Sequence, residues 1–514
     1  MTATEQASLT GFATIASADP GRIAVVEPDR PLLTYGELAC RANQLSHAFA
    51  AMGLRPGHCV AAVVPNSRTY YELRLAACQT GLYFTPISHH LTAPEIAYLV
   101  ADSEAKLVIV DASLLEVAGP ALDEIQFPRD DRFVVGEAPG WTNYEELLAG
   151  FPETAPDELL AGDFMGYTSG TTGRPKAVRK ALPGGPPRTS EFQLDYMARL
   201  GIFPGREVHL VGAPLYHAAP GTFSTIALNL GHTVVVAERP RPEQLLNLVE
   251  RHGVTVTFTV PTMLHRLLRL PPDVREKYDT SSLRSVVHAA APCPVPLKRQ
   301  AIEWLGPVIF EFYGATEGPA TALTSHEWLT KPGSVGYPLA GLEVRILDEL
   351  GAPLPAGQIG SVCYTLPTPF EYFKAEEKTA SAMHDGFFTA GDVGYLDEDG
   401  WLFLCDRRTD LILSGGVNIY PAEIEAALIM HPDVADAAVI GIPDDEWGQR
   451  AVAIVQPERG VTPGDGLAER LTAHCRSILA GYKVPRTIEF TSQLPRTSAG
   501  KLLRRELRDV HRPS

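Results

Sequence analysis

Apolar residues recur at helical spacing between Thr34 and Met52, where Leu38, Ala42, Leu45 and Phe49 share one face. A turn at Gly53–Gly57 follows, then the continuous apolar run Val60-Ala61-Ala62-Val63-Val64, which reads as a buried strand. A second helix-like run, Tyr70 to Gly81, and a strand-like run, Lys106 to Val110, repeat the rhythm. It returns at Val208–Gly212, Thr233–Ala237, Thr255–Val260 and Ser285–Ala289. Alternation of this kind predicts mostly parallel sheets with helices on their faces, because parallel strands need crossover connections. The proline- and glycine-rich stretch 183–187 predicts a mobile loop. Near residue 340 the pattern shifts to short strands and turns, at Leu342–Leu347 and Gly360–Leu366. After Trp401–Cys405 a smaller α/β unit begins, with a helix predicted over Pro421–Met430.

A chain of 514 residues exceeds the size at which one hydrophobic core keeps growing, so two domains at least are expected. The fold class is α/β: a large N-terminal domain, 1–407, of mostly parallel sheets flanked by helices plus a strand-rich subdomain, and a small mobile α/β C-terminal domain, 408–514. The net charge of -17 opposes a nucleic-acid partner, which calls for a basic face. Seven scattered cysteines show no metal or redox spacing, which suits reduced thiols. No signal-peptide pattern and no apolar stretch of membrane-spanning length is evident, so a cytoplasmic location is expected. Between Leu467 and Ser514 ten Lys/Arg stand against four acids, a local basic excess that suits a polyanionic ligand or an ordinary solvated face.

The chemistry is concentrated in Tyr167–Lys176, YTSGTTGRPK. Its glycines let backbone N–H groups approach a ligand, its hydroxyls add donors, and Lys176 adds a mobile positive charge. Many donors converging from one side suit a polyphosphate. The stretch is not a Walker A loop, since it lacks the Gly-Lys-Ser/Thr ending; a flexible surface loop is the plain alternative. Further along come Tyr313-Gly314-Ala315-Thr316-Glu317, Gly391-Asp392, Arg407 and Gly500-Lys501. In this order the five segments resemble the motifs of the adenylate-forming superfamily, which contains acyl-CoA synthetases, peptide-synthetase adenylation domains and luciferases. The resemblance covers nearly the whole chain.

Several site assignments follow from that resemblance. Thr168, Ser169, Gly170, Thr171, Thr172, Gly173 and Lys176 would hold the β- and γ-phosphates of ATP. Glu317 would contact Mg²⁺, the metal site, and Thr316 would lie near the α-phosphate. Tyr313 and Gly314 would border the adenine together with Ala290 and Ala291, while Asp392 and Arg407 would grip the ribose hydroxyls. Lys501 resembles the adenylation lysine, whose ammonium would bridge the attacking carboxylate and the α-phosphate. His217 would line the acyl site with Tyr216, Ala289 and Ala315. In relatives the small domain rotates after adenylation at a hinge, here Thr409. Gly415 and Gly416 would then line the pantetheine tunnel of coenzyme A, with Trp447, Tyr482, Lys483 and Arg486 toward its adenine and phosphates.

The implied reaction joins a carboxylic acid, bulky and hydrophobic, cyclic or fatty, to CoA through an acyl-adenylate, releasing AMP and pyrophosphate. A homodimer is an allowed assembly. Two departures stand out: Ala177 where relatives carry glycine, and Ala390 where they carry threonine, with Thr389 displaced by one. They motivate alternatives: an enzyme weak in adenylation that uses preformed acyl-adenylate, a carrier-protein-loading acyl-AMP ligase, or a non-catalytic nucleotide-binding regulator.

Overall fold

The computed structural model describes residues 10–28, 30–168, 174–238, 240–414, 417–444, 446–496 and 502–511. Within them the first predicted helix is Tyr35–Ala51. It starts where Thr34 and Glu37 form a capping box: the Glu37 N–H donates to the Thr34 hydroxyl at 3.2 Å, and the Thr34 N–H donates to the Glu37 carboxylate at 2.8 Å. Its inner face buries Tyr35, Leu38, Ala42, Leu45 and Phe49, as the spacing predicts. Burial of each large side chain contributes about 1.5–3 kcal/mol.

Two parallel sheets form the body of the chain. One is wholly parallel, with strands in the order Thr142–Asn143, Arg132–Val135, Ala105–Asp111, Cys59–Val63, Tyr83–Pro86 and Asp163–Phe164. The other has nine strands, with a parallel centre built from Ile309–Gly314, Ser285–His288, Val256–Thr259, Val208–Val211, Thr233–Val236 and Ile23–Val26. Antiparallel strands close both of its edges. A single apolar cluster joins Val60, Phe84 and Ile109 of the first sheet to Val25, Val211 and Val236 of the second. The helices Tyr35–Ala51 and Arg68–Gln79 supply much of that shared core. The predicted alternation is therefore present, and both faces of each central strand are covered.

The strand-rich region expected after residue 340 is an antiparallel sheet that includes Gly360–Tyr364, Asp392–Leu396 and Leu402–Arg407. A separate three-stranded sheet pairs Gly166–Thr168 with Lys176–Lys180 and the latter with Phe370–Tyr372. In the loop at 183–187 the Gly185 carbonyl accepts from the Ala161 N–H at 2.7 Å.

The last sheet is built around the antiparallel pair Val434–Asp444 and Gly448–Pro457, with Thr487–Phe490 parallel to the latter. Side chains alternate across it, as a period of two requires. Ala437 and Val439 face one core, with the helices Pro421–Ile429 and Asp465–Ile478. Ala438 and Ile440 face the other, which Leu494, Leu502 and Leu507 complete. The final helix, Arg504–Val510, thus packs on the face opposite the two longer helices. Among the described residues no helix is long and apolar enough to cross a membrane. All seven cysteines are free of disulfides.

Candidate functional site

The strand Ile309–Gly314 leaves the parallel sheet and turns back on itself at Ala315–Gly318. The Ala315 N–H donates to the Gly318 carbonyl at 2.9 Å, and the reverse bond is 3.1 Å. Gly314 allows this: a Cβ there would lie 2.6 Å from both the Gly318 carbonyl oxygen and Pro319 Cα. The turn presents Thr316, half-buried, and Glu317, buried.

Tyr313, at the root of the turn, donates its phenol to Asp392 Oδ2 at 2.7 Å. Burial, reinforced by the Asp392 charge, holds that phenol well above its ordinary range, so it stays a neutral donor. Arg407 Nε lies 3.3 Å from the other carboxylate oxygen, Oδ1, and Asp392 and Arg407 are register partners on adjacent strands. Gly391, at φ 82°, makes the left-handed turn that leads into Asp392. Its N–H is satisfied by the Thr389 hydroxyl at 3.1 Å, so the displaced threonine still serves this turn.

Glu317 Oε1 accepts from the Tyr372 hydroxyl at 2.5 Å. Tyr372 sits at the end of the strand Phe370–Tyr372, and Lys378 lies with its ammonium 4.7 Å from the Tyr372 ring centre. Burial lowers the Lys378 pKa; the Glu317 charge opposes that shift and the Lys176 charge adds to it. The Glu317 carboxylate and the Lys176 ammonium thus both act electrostatically on Lys378. Tyr372 and Lys378 carry no motif, so the sequence reading did not find them.

Lys176 begins the strand Lys176–Lys180 and pairs in register with Thr168. These two residues frame the glycine-rich loop; Ser169, Gly170, Thr171, Thr172 and Gly173 lie outside the described residues. The Ala177 methyl is fully buried in the apolar cluster with Cys59, Ala61 and Met165. This methyl fills core volume.

Ala289 is buried, Ala291 half-buried and Ala290 exposed, just past the strand Ser285–His288. Ala290 adopts φ 74°, left-handed backbone that disfavours a Cβ. Beneath it lies a polar cluster the sequence reading did not single out. Lys298, wholly buried, donates to Glu311 Oε2 at 2.5 Å, and His288 Nε2 lies 3.6 Å from the same oxygen. Pairing offsets the large desolvation cost of a buried ammonium. Glu311 and His288 flank the segments that carry Tyr313 and Ala289.

His217 takes the N-cap position of the helix Ala218–Asn229, its ring centre 4.6 Å from that of Tyr216. His89 and His90 pack edgewise on Tyr216 at 5.6 and 6.4 Å. Burial, with the His90 charge adding to it, lowers the His217 pKa to about 4. His217 is therefore neutral near pH 7. Behind this segment Tyr196, Phe223, Phe258 and Phe312 interlock, with ring centres 5.5–6.3 Å apart, in one cluster with Ala289. Ala315 is half-buried near Tyr313.

On the small unit Trp447 is exposed, and the Arg486 guanidinium lies 4.9 Å from its ring centre. Lys483 is held by both oxygens of Glu423 at 2.7 Å, and its ammonium lies 5.6 Å from the exposed Tyr482 ring. Gly415, Gly416 and Lys501 lie outside the described residues. Both flanks of Lys501 are anchored. Arg496 and Leu502 form an antiparallel bridge, and Arg496 binds Asp436 through two bonds of 2.6 and 2.7 Å. Arg504 binds Glu425 at 2.6 Å and Asp410 at 3.2 Å, and Arg508 also binds Asp410. Thr409 is exposed between Arg407 and Asp410. Asp406, on the preceding strand, accepts from the Ala422 N–H at 2.9 Å.

Residues 12–371 match the AMP-binding enzyme family, and residues 423–501 match the AMP-binding enzyme C-terminal domain. A feruloyl-CoA synthase of Amycolatopsis sp is 36% identical over 482 residues, covering 93% of each chain. The fatty acid–[acyl-carrier-protein] ligase ScoC of Streptomyces coeruleorubidus is 34% identical over 493 residues, covering 93% of this chain and 91% of its own. Among solved structures, the anthranilate CoA ligase AuaEII in complex with anthranoyl-AMP superposes with a TM-score of 0.86 at 27% identity, over 100% of this chain and 99% of its own.

Proposed function

Because this chain belongs to the AMP-binding enzyme family, we propose that it is an ATP-dependent acid–CoA ligase working through an acyl-adenylate. The observation that carries the reading is the meeting of Tyr313 and Arg407 on the two oxygens of Asp392. A carboxylate fixed in this way can accept from both hydroxyls of a ribose, while the guanidinium donates alongside.

In the first half-reaction a carboxylate oxygen of the acid attacks the α-phosphorus of ATP, and pyrophosphate leaves. No protein nucleophile is needed; positioning and charge neutralisation suffice. Lys176 and the hydroxyls around Thr168 would hold the departing phosphates, Thr316 would sit beside the α-phosphate, and Lys501 would neutralise charge on the attacking and bridging oxygens. Glu317 fits a Mg²⁺ site: it is a buried carboxylate with one oxygen engaged by Tyr372, beside groups suited to phosphate. Among the described residues no cluster of three His, Cys, Asp or Glu could hold a metal. By resemblance, the ion would take its remaining ligands from phosphate oxygens and water.

In the second half-reaction the CoA thiol attacks the acyl carbon and AMP leaves. The small unit, 408–514, would turn at Thr409 between the halves, bringing Gly415 and Gly416 to the acyl group. The Arg486–Trp447 and Lys483–Tyr482 pairs offer cations beside aromatic faces, which suits an adenine and phosphates. The aromatic cluster behind Ala289 and His217 favours an apolar acid, cyclic or fatty. ScoC, which loads a carrier protein, supports a second reading in which the acceptor is a phosphopantetheinylated carrier.

A screen of aromatic, alicyclic and fatty acids, reading pyrophosphate release and thioester in parallel, tests the proposal. Acid-dependent pyrophosphate release with CoA thioester is expected. Transfer to a carrier but not to CoA selects the second reading, and absence of both reactions from acids and from synthetic acyl-adenylates rejects catalysis. Lys501→Ala should cripple adenylation and spare transfer from a supplied acyl-adenylate, whereas Gly416→Leu should do the reverse. Equal loss of both halves in both variants would refute this division.

A further inference from the structure

Arg269 terminates the helix Pro261–Leu268 of the large unit and reaches across to the small one. Its Nη2 donates to the Pro432 carbonyl at 2.5 Å and to Glu458 Oε2 at 2.9 Å. The two acceptors belong to one corner, since the Glu458 N–H donates to the Asp433 carbonyl at 2.8 Å. That corner opens the strand pair on which Asp436 sits, two residues beyond Val434, and Asp436 is the partner that Arg496 grips through two bonds. The charges of Asp436 and Glu458 both act on His265, one turn back on the Arg269 helix. The Arg496–Leu502 bridge therefore stands on the side of the small unit that faces the large one.

We propose that Arg269 is a positioning residue for adenylation: its grip on Pro432 and Glu458 holds the small unit so that the Arg496–Asp436 pair, which anchors the flank of Lys501, faces the nucleotide-binding body. The inference rests on the reading of Lys501 given above. Arg269 touches neither substrate nor nucleotide in this role. The contact is made of partly exposed groups, so its loss should shift the balance between poses without unfolding either unit. Transfer to the thiol, which uses the other pose, does not need it.

The test uses the full chain and synthetic feruloyl-adenylate, assayed with pyrophosphate for ATP formation and with CoA for thioester formation. Arg269→Ala should lower the kcat of ATP formation about three- to fivefold, as expected for the loss of an exposed charge-assisted contact. The KM for pyrophosphate and the rate of thioester formation should stay within about twofold. Arg269→Lys should retain much of the activity, and Arg269→Glu combined with Glu458→Arg should recover most of what Arg269→Glu alone loses. Equal loss of both half-reactions, no loss, or no recovery in the charge swap overturns the proposal. Lys501→Ala, run in parallel, tests the reading beneath it: unchanged ATP formation there rejects that reading whatever Arg269 does. Amide hydrogen exchange on the unliganded chain supplies a readout that needs no acyl substrate. Peptides containing Val434 and Glu458 should exchange faster in Arg269→Ala and slow again in the charge swap; unchanged exchange overturns the proposal even if feruloyl-adenylate is not turned over.

Discussion

Tyr313 and Arg407 approach Asp392 from different strands, so either can be removed while the other still holds the carboxylate. Tyr313→Phe deletes only the 2.7 Å donor. A hydrogen bond to a charged group is worth about 1.5–3 kcal/mol to the fold; with Arg407 still on the carboxylate only part of this reaches the nucleotide, so ATP affinity should fall about two- to tenfold, measurable by calorimetric titration. His209 gives a different kind of handle. It is buried in the strand Val208–Val211 with neither ring nitrogen hydrogen-bonded. Burial, with the His232 charge adding to it, lowers its pKa to about 3 from an ordinary 6.5. The unfolded chain therefore binds a proton there that the folded chain refuses, and the stability tied to this group is lost as pH falls below 6.5. Between pH 6.5 and 5 this amounts to about 2 kcal/mol. His209→Leu should flatten the pH dependence of denaturant midpoints over that interval; an unchanged slope would remove the assignment.

Ala177 shows how an element decides what a residue means. In sequence it is one step past a phosphate loop; in the strand Lys176–Lys180 it is a side chain turned into the core. Ala177→Gly should cost about 1–2 kcal/mol through the lost methyl and the freer backbone. It should leave pyrophosphate exchange within about twofold. A severalfold gain in exchange would show instead that this methyl obstructs the nucleotide. The same contrast explains what could be read in advance. Tyr313, Asp392 and Arg407 were legible because the short segments that carry them resemble known motifs, and the structure brings the three side chains together. The strands around Val60, Val208 and Ser285 were legible because burial on both faces leaves an unbroken apolar run. Tyr372 over Glu317, Lys298 under Glu311 and Arg269 against Glu458 left no such trace. Each is a single polar side chain whose partner is supplied by another element.

For the whole molecule the decisive division is between the large body and the unit built on Val434–Pro457. Asp410, just past Thr409, is bound by Arg504 and Arg508, and Arg504 also binds Glu425. Ending the chain at Leu503 would strand two largely buried carboxylates, at a cost of about 3 kcal/mol or more. The small unit of that truncation should melt ahead of the body, giving two transitions in a calorimetric scan; one cooperative transition at the wild-type temperature would contradict this. The same clamp has a mechanical meaning. The last helix, which follows Lys501, is bolted to Asp410, the first residue beyond the proposed pivot Thr409. If the small unit turns about Thr409 as proposed, there is little slack to take up: the last helix sweeps with the axle instead of trailing behind it.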